Sequence, residues 1–359
     1  MIASKIAKIT LGKGDQPEQL RRRTVMLLFV GLALGLAACS TAGDPGPAGP
    51  AGAVGPAGPA GPAGPSGGVV ATDLTCTECH DDTTLIVSKQ AQFKETSVHG
   101  TGEAFIRGES TSCAGCHGSE GAEARIEAGL LPHDPSVEGV TNVSPYTCRT
   151  CHDIHTTYTG EDFSLTGDAA PAQMENTEGT FDGGFGNLCA NCHQIRNELP
   201  VASAGEITFE SDRFGTHYGV EAQMLLGEGG LMVSGSPSVH YGVENTCVTC
   251  HMGEDRNHTY VPNVAYCQAC HADLDTLDRN GVQTEIQTML DEVRDLLISA
   301  GIIDLELEPE GSRAVPGTYP EEVASAMWNY KFVLEDQSRG VHNPPYAKAL
   351  LEQALAALR

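Results

Sequence analysis

The chain has 359 residues, 47 acidic against 21 basic, and a formal net charge of −26. Such a balance repels phosphate and argues against nucleic acid or an anionic surface as partner. Aromatic residues are only 5% of the total, with a single Trp, while Gly reaches 42 and Pro 20. A chain this poor in large apolar side chains fills a sizeable core only if something else supplies apolar bulk, and its 13 Cys and 13 His suggest what.

Residues 1–38 read as a targeting segment. Arg21, Arg22 and Arg23 abut the apolar run Val25 to Ala38, which ends Leu36-Ala37-Ala38-Cys39. A basic flank, a short apolar stretch and small residues before the cut describe an export signal, and the run is shorter than the ~20 residues a membrane span needs. The Leu-Ala-Ala-Cys ending resembles the bacterial lipoprotein signal, which implies cleavage before Cys39 and its lipidation. The Ser40 that follows implies sorting to the outer membrane. An ordinary cleaved signal with an unrelated Cys is the alternative. Without this segment, which holds six basic and two acidic residues, 15 basic and 45 acidic residues remain. No later run is apolar enough to span a bilayer, so the expected membrane contact is through the anchor alone.

Residues 39–71 read as lipid anchor and linker. Gly recurs at every third position from Gly43 to Ser66, mostly as Gly-Pro-Ala. That period is the collagen signature, although eight triplets are few. A stiff polyproline-II stalk, reaching roughly 75 Å at ~3.1 Å per residue, is the simpler reading, and trimerisation the rarer one.

The remaining 12 Cys fall into six units of one pattern, numbered here as motifs 1–6 in chain order. They are Cys76-Thr-Glu-Cys79-His80, Cys113-Ala-Gly-Cys116-His117, Cys148-Arg-Thr-Cys151-His152, Cys189-Ala-Asn-Cys192-His193, Cys247-Val-Thr-Cys250-His251 and Cys267-Gln-Ala-Cys270-His271. Cys-x-x-Cys-His is the c-type haem attachment pattern. Two thiols form thioethers with the two haem vinyl groups, and the next residue lies under the macrocycle with its imidazole aimed at iron. Zinc ribbons and disulfides use the same cysteines, but neither requires His after every second Cys. Six covalent haem c groups are therefore expected, with His80, His117, His152, His193, His251 and His271 as proximal ligands. By motif, residues 76–271 resemble the multihaem c-type cytochromes of metal- and sulfur-respiring bacteria.

Seven histidines remain as distal candidates: His99, His133, His155, His217, His240, His258 and His342. Six are needed if every iron is bis-His. His155, three residues after His152, is too close to reach the far side of its own iron and would serve a neighbour. His133 lies between two Pro and is the weakest candidate. The segment from Ala326 through Gly340-Val341-His342-Asn343-Pro344 resembles the C-terminal region of ammonia-forming cytochrome c nitrite reductase, where such a His reaches a haem iron. That likeness implies that His342 is a distal ligand. Those enzymes also carry a Cys-x-x-Cys-Lys haem, which this chain lacks.

The motifs begin 20 to 58 residues apart, which leaves little chain for regular structure. The expected fold is mostly irregular, with short α-helices wrapped around a covalent haem stack, longer α-helices at the C-terminus and little or no β. Each motif is expected to open or sit in a short helix. The haem-bearing region is placed at 72–275 and a helical region supplying a distal ligand at 276–359. There Ile286, Met289, Leu290, Val293, Leu296 and Leu297 follow helical spacing, so a helix over about 282–300 ending at Gly301 is predicted. Pro320 opens a second to about 339, stopped by Gly340, and Asn343 caps a third starting at Pro344 and running to about Leu358.

Iron with two axial His has no place for substrate, which favours an electron carrier over an enzyme. The expected role is electron relay in anaerobic or extracellular respiration, from the outer membrane facing the cell surface or periplasm. Its partners would be redox proteins or extracellular acceptors. A reductase of nitrogen or sulfur oxyanions with one open haem is the alternative. A haem-filament subunit, self-associating through the seventh His, is another.

Overall fold

The computed structural model describes residues 84–110, 112–134, 143–306 and 313–359. The signal, Cys39, the Gly-Pro-Ala stretch and motif 1 (Cys76, Cys79, His80) lie outside them. Among the described residues the fold is mostly irregular chain and short helices, with three long helices at the C-terminus and two small antiparallel sheets.

The described residues form ten α-helices, in chain order: α1 (Thr84–Ala91), α2 (Ala114–His117), α3 (Ser119–Glu127), α4 (Gly186–Ala190), α5 (Glu221–Leu226), α6 (Thr246–His251), α7 (Val264–Cys267), α8 (Val282–Ser299), α9 (Glu321–Glu335) and α10 (Pro344–Leu358). The strands are β1 (Ala172–Gln173), β2 (Thr180–Phe181), β3 (Glu206–Phe209) and β4 (Gly317–Pro320); β1 pairs with β2, and β3 with β4.

The C-terminal helices follow their apolar spacing. Ile286, Leu290, Val293 and Leu297 of α8 are buried, at intervals of three and four. Asp278 anchors its start, accepting from the Gln283 N–H at 2.7 Å and the Thr284 hydroxyl at 2.5 Å. Gly301, at φ +70°, ends it; the Ile302 N–H turns back to Leu297 O at 2.9 Å. Helix α9 is buried nearly all round and packs against α8, α10, β3 and β4. Its Trp328 is fully enclosed and donates from Nε1 to Gly229 O at 2.8 Å, so its apolar burial, about 1.5–3 kcal/mol for a side chain of this kind, carries no unsatisfied N–H.

Two details depart from the expected helix ends. Helix α9 stops at Glu335, four residues before the anticipated end, because the chain turns back through Gln337, Arg339 and Gly340, all at positive φ. Asn343 occupies the N-cap position of α10, but its side chain makes no cap bond. Its Nδ2 donates instead to Met224 O and Ser236 O, both at 3.0 Å, tying the helix start to α5 and to the loop at Ser236.

The main core combines α8, α9 and α10 with residues from the motif-bearing stretch. Ile195, Ile207, Phe209, Val220 and Met224 belong to the same buried cluster as Trp328, Phe332 and Leu350. In strand β3, Ile207 and Phe209 point inward and alternate with exposed residues. Elsewhere, buried amides replace the missing ladders. Asn187 accepts from the Gly183 N–H and donates to Ala169 O, and Gln223 accepts from the Ile195 N–H. Irregular chain is buried only where such groups satisfy its backbone.

Candidate functional site: facing imidazoles beside Cys-x-x-Cys-His turns

Each described motif closes one helical turn. The His N–H donates to the carbonyl of the first Cys at 2.9 Å in motifs 2, 4 and 6 and at 3.0 Å in motif 3; motif 5 lies within α6. One turn brings the thiols at i and i+3 and the imidazole at i+4 to neighbouring points of one face.

Every described motif histidine faces one of the distal candidates. The ring centres are 6.0 Å apart for His193–His99, 6.2 Å for His117–His217, His251–His342 and His271–His240, and 6.3 Å for His152–His258. Two imidazoles on opposite sides of one metal ion, at about 2.0 Å per bond, have ring centres about 6 Å apart. Five pairs therefore share one spacing, and it is the spacing of axial ligands. His133 enters none of them. Its Nδ1 lies 2.5 Å from Glu175 Oε2, and its N–H donates to the same carboxylate at 2.9 Å. His155 stacks on Tyr158 with ring centres 5.6 Å apart, and its N–H donates to Asp162.

The second nitrogen of most rings is also fixed. Nδ1 lies 3.0 Å from Phe163 O in His152, 2.8 Å from Tyr260 O in His251, 2.7 Å from Val341 O in His240 and 2.7 Å from Arg256 O in His258. A carbonyl only accepts, so Nδ1 carries the proton and Nε2 keeps its lone pair. His193 and His342 use carboxylates, Glu221 Oε2 at 3.0 Å and Asp336 Oδ1 at 2.6 Å. Such partners orient a ligating ring and raise its basicity. Glu221 raises His193 to about 9. Burial opposes the same change in His342, yet Asp336 carries it to about 9. Burial pushes His99 down to about 4, reinforced by His193. His99 Nδ1 is the one histidine nitrogen among the described residues that is buried without a hydrogen-bond partner. That ring faces the motif histidine His193.

The cysteines do not assemble into any competing site. The ten described are free, and among the described residues no three His, Cys, Asp or Glu converge as a metal ion would need. Thiols of different motifs meet instead. Contact with Cys192 and burial push the Cys116 thiol well above its ordinary value, and Cys247 acts likewise on Cys189. An open cleft is lined by Cys113, Cys116, His117, His217 and Tyr218, so both thiols of motif 2 and both rings of its pair border one space. The residues present thus fit a c-type haem at each described motif.

Sequence reasoning singled out the rings but missed what orients them. Asp336, six residues before His342, and Glu221, four after His217, carry no motif that marks them.

No protein-family model matches the chain, and no curated protein does. Among solved structures, the chain is similar to the outer cell wall cytochrome OcwA, at 22% identity and a TM-score of 0.47, covering 75% of this chain and 50% of that one. It is also similar to the undecahaem cytochrome from the S-layer of Carboxydothermus ferrireducens, at 18% identity and a TM-score of 0.46, covering 74% of this chain and 40% of that one. The chain thus matches half or less of the length of each.

Proposed function

We propose that this protein is a multihaem c-type cytochrome that relays electrons through six bis-His haems. The observation that carries the reading is the common ring spacing: all five described motif histidines face a second histidine at 6.0–6.3 Å. Haem bound between the rings supplies one-electron chemistry at iron. The cysteines of each turn would hold it covalently, and the paired imidazoles would supply its iron ligands. In six of these ten rings an Nδ1 acceptor locks the imidazole and leaves Nε2 unprotonated. By elimination His155 would be the sixth distal ligand, since His133 bonds Glu175.

Thiol contacts suggest the spatial order. Motif 2 touches motif 4 through Cys116 and Cys192, and motif 4 touches motif 5 through Cys189 and Cys247. Helices α6 and α7, which carry motif 5 and the start of motif 6, pack against each other. Cys151 of motif 3 senses Cys192. Motif 4 is then the junction of a branched relay. Export through the N-terminal signal, a lipid anchor at Cys39 and the long stalk would place this relay at the outer membrane. There it would serve redox proteins or extracellular acceptors in anaerobic respiration.

Haem counting tests the reading. Intact mass and the pyridine haemochrome should give six haems per chain, and the ferric protein should show only low-spin iron. A colourless chain, or one carrying zinc or cystines, refutes it.

One observation favours a second reading, a reductase of nitrogen or sulfur oxyanions with an open haem. The Tyr218 N–H donates to His217 Nδ1 at 2.8 Å, which places the ring proton on Nε2, the nitrogen that would otherwise bind iron. High-spin ferric iron confined to motif 2, and abolished by a small anion, would favour that reading.

A further inference from the structure

Arg125 is the one charged side chain among the described residues with 0% exposure. It lies on α3, and its guanidinium reaches two motifs. Nε donates to Gly115 O at 2.8 Å, inside motif 2. Nη2 donates to Asn191 O at 2.9 Å, inside motif 4, and lies 3.3 Å from Cys192 Sγ. Nη1 donates to Leu130 O at 3.2 Å. No carboxylate among the described residues pairs with it. Glu175, which influences it from further away, is bound to His133.

A guanidinium stays charged at any physiological pH. Its partners here are three carbonyl oxygens and one sulfur, and that sulfur is an uncharged thioether once haem is attached. Burial of an unpaired cation is strongly unfavourable unless something offsets it. Packing alone does not call for a charge at this position, since carbonyl acceptors are satisfied as well by a neutral donor. The sulfur contact puts the guanidinium at the thioether edge of motif 4, beside the point where Cys116 meets Cys192.

We propose that Arg125 raises the reduction potentials of the haems held by Cys113/Cys116 and Cys189/Cys192, which makes it a positioning charge for the electron at their junction. The inference rests on the haem reading above. Reduction of ferric to ferrous iron adds one electron from the donor and lowers the charge of the centre by one. A fixed cation at close range in a low-dielectric interior stabilises that reduced form. At motif 4 it opposes Glu221, whose carboxylate on His193 Nδ1 favours the oxidised form. One junction is thereby poised between a buried cation and a half-buried anion.

The test is a spectroelectrochemical titration of the full-length holoprotein with Arg125→Met, Arg125→Gln and Arg125→Lys. Haem is counted first by pyridine haemochrome; fewer than six in the unaltered protein would defeat the haem reading itself and is seen before any potential is measured. The expected result is that both neutral variants lower the midpoints of two of the haems by at least tenfold in the reduction equilibrium, about 59 mV for one electron. The Lys variant, which keeps the charge, stays near the unaltered values. Unchanged midpoints in a haem-replete neutral variant would overturn the proposal, as would a Lys variant that falls as far as the Met variant. Loss of haem from both neutral variants would also overturn it, since the charge would then serve folding. Either neutral variant alone decides the matter if the other fails to mature.

Discussion

Replacing His342 by Ala should convert one haem of the six to high-spin ferric iron. His342 sits on the turn after α9, with its ring 6.2 Å from His251, and Asp336 Oδ1 holds its Nδ1 at 2.6 Å. His251 would keep its own bond to Tyr260 O, so the proximal side stays ordered while the distal side opens. With six motifs per chain, about one sixth of the total iron should change spin state. Spin quantitation by electron paramagnetic resonance reads this fraction. A separate stability loss of about 1–3 kcal/mol should follow, because Asp336 is left as a buried acceptor without its ring donor. His133→Ala is the matched control: its ring bonds Glu175 rather than facing a motif histidine, and its replacement should leave every iron low-spin. An entirely low-spin His342→Ala protein, or high-spin iron in the His133 variant, would refute the pairing.

Leu350→Ala, at a fully buried position of α10, should cost about 2–5 kcal/mol in urea unfolding followed by far-ultraviolet circular dichroism; a loss under 1 kcal/mol would show that the helices are loosely packed. Lys331 and Glu335 form a buried pair at 2.6 Å. Lys331→Met should destabilise by about 3–5 kcal/mol, and the double variant Lys331→Met, Glu335→Met should recover much of that loss. Equal midpoints for single and double variants would contradict this account. Burial opposes ionisation of Glu120, but the Ser144 amide and hydroxyl, at 2.6 and 2.7 Å, hold its carboxyl below the ordinary glutamate value. Its contribution is therefore complete above the unfolded value of about 4.3 and is lost as pH falls through the lower native one. Hydrogen exchange at the Ser144 amide should accelerate across that interval, and Glu120→Gln should remove the dependence.

Local order was legible where periodicity and punctuation agree. Helix α8 runs over Val282–Ser299 and stops at Gly301 as its pattern required. The end of α9 was not legible, because Gln337 and Arg339 adopt positive φ against their own preference to carry His342 back over the core. Asn343 has the composition of a cap but is used by Met224 O and Ser236 O. Cys-x-x-Cys-His named one histidine of each facing pair, since the motif lies within a single turn. Partners could not be read, because His99 faces His193 and His117 faces His217 only through contacts made far along the chain. Arg125 gave no signal at all: nothing in a short polar helix marks this arginine as one that is fully enclosed.

The facing rings also interleave. The intervals 99–193, 117–217, 152–258, 240–271 and 251–342 each begin before an earlier one has closed. Wherever the backbone is severed between residues 99 and 342, at least one pair straddles the break. With metal joining each pair, the chain is braided rather than beaded: a nick leaves its fragments fastened together, and no segment of that span can be excised with its own ligands complete.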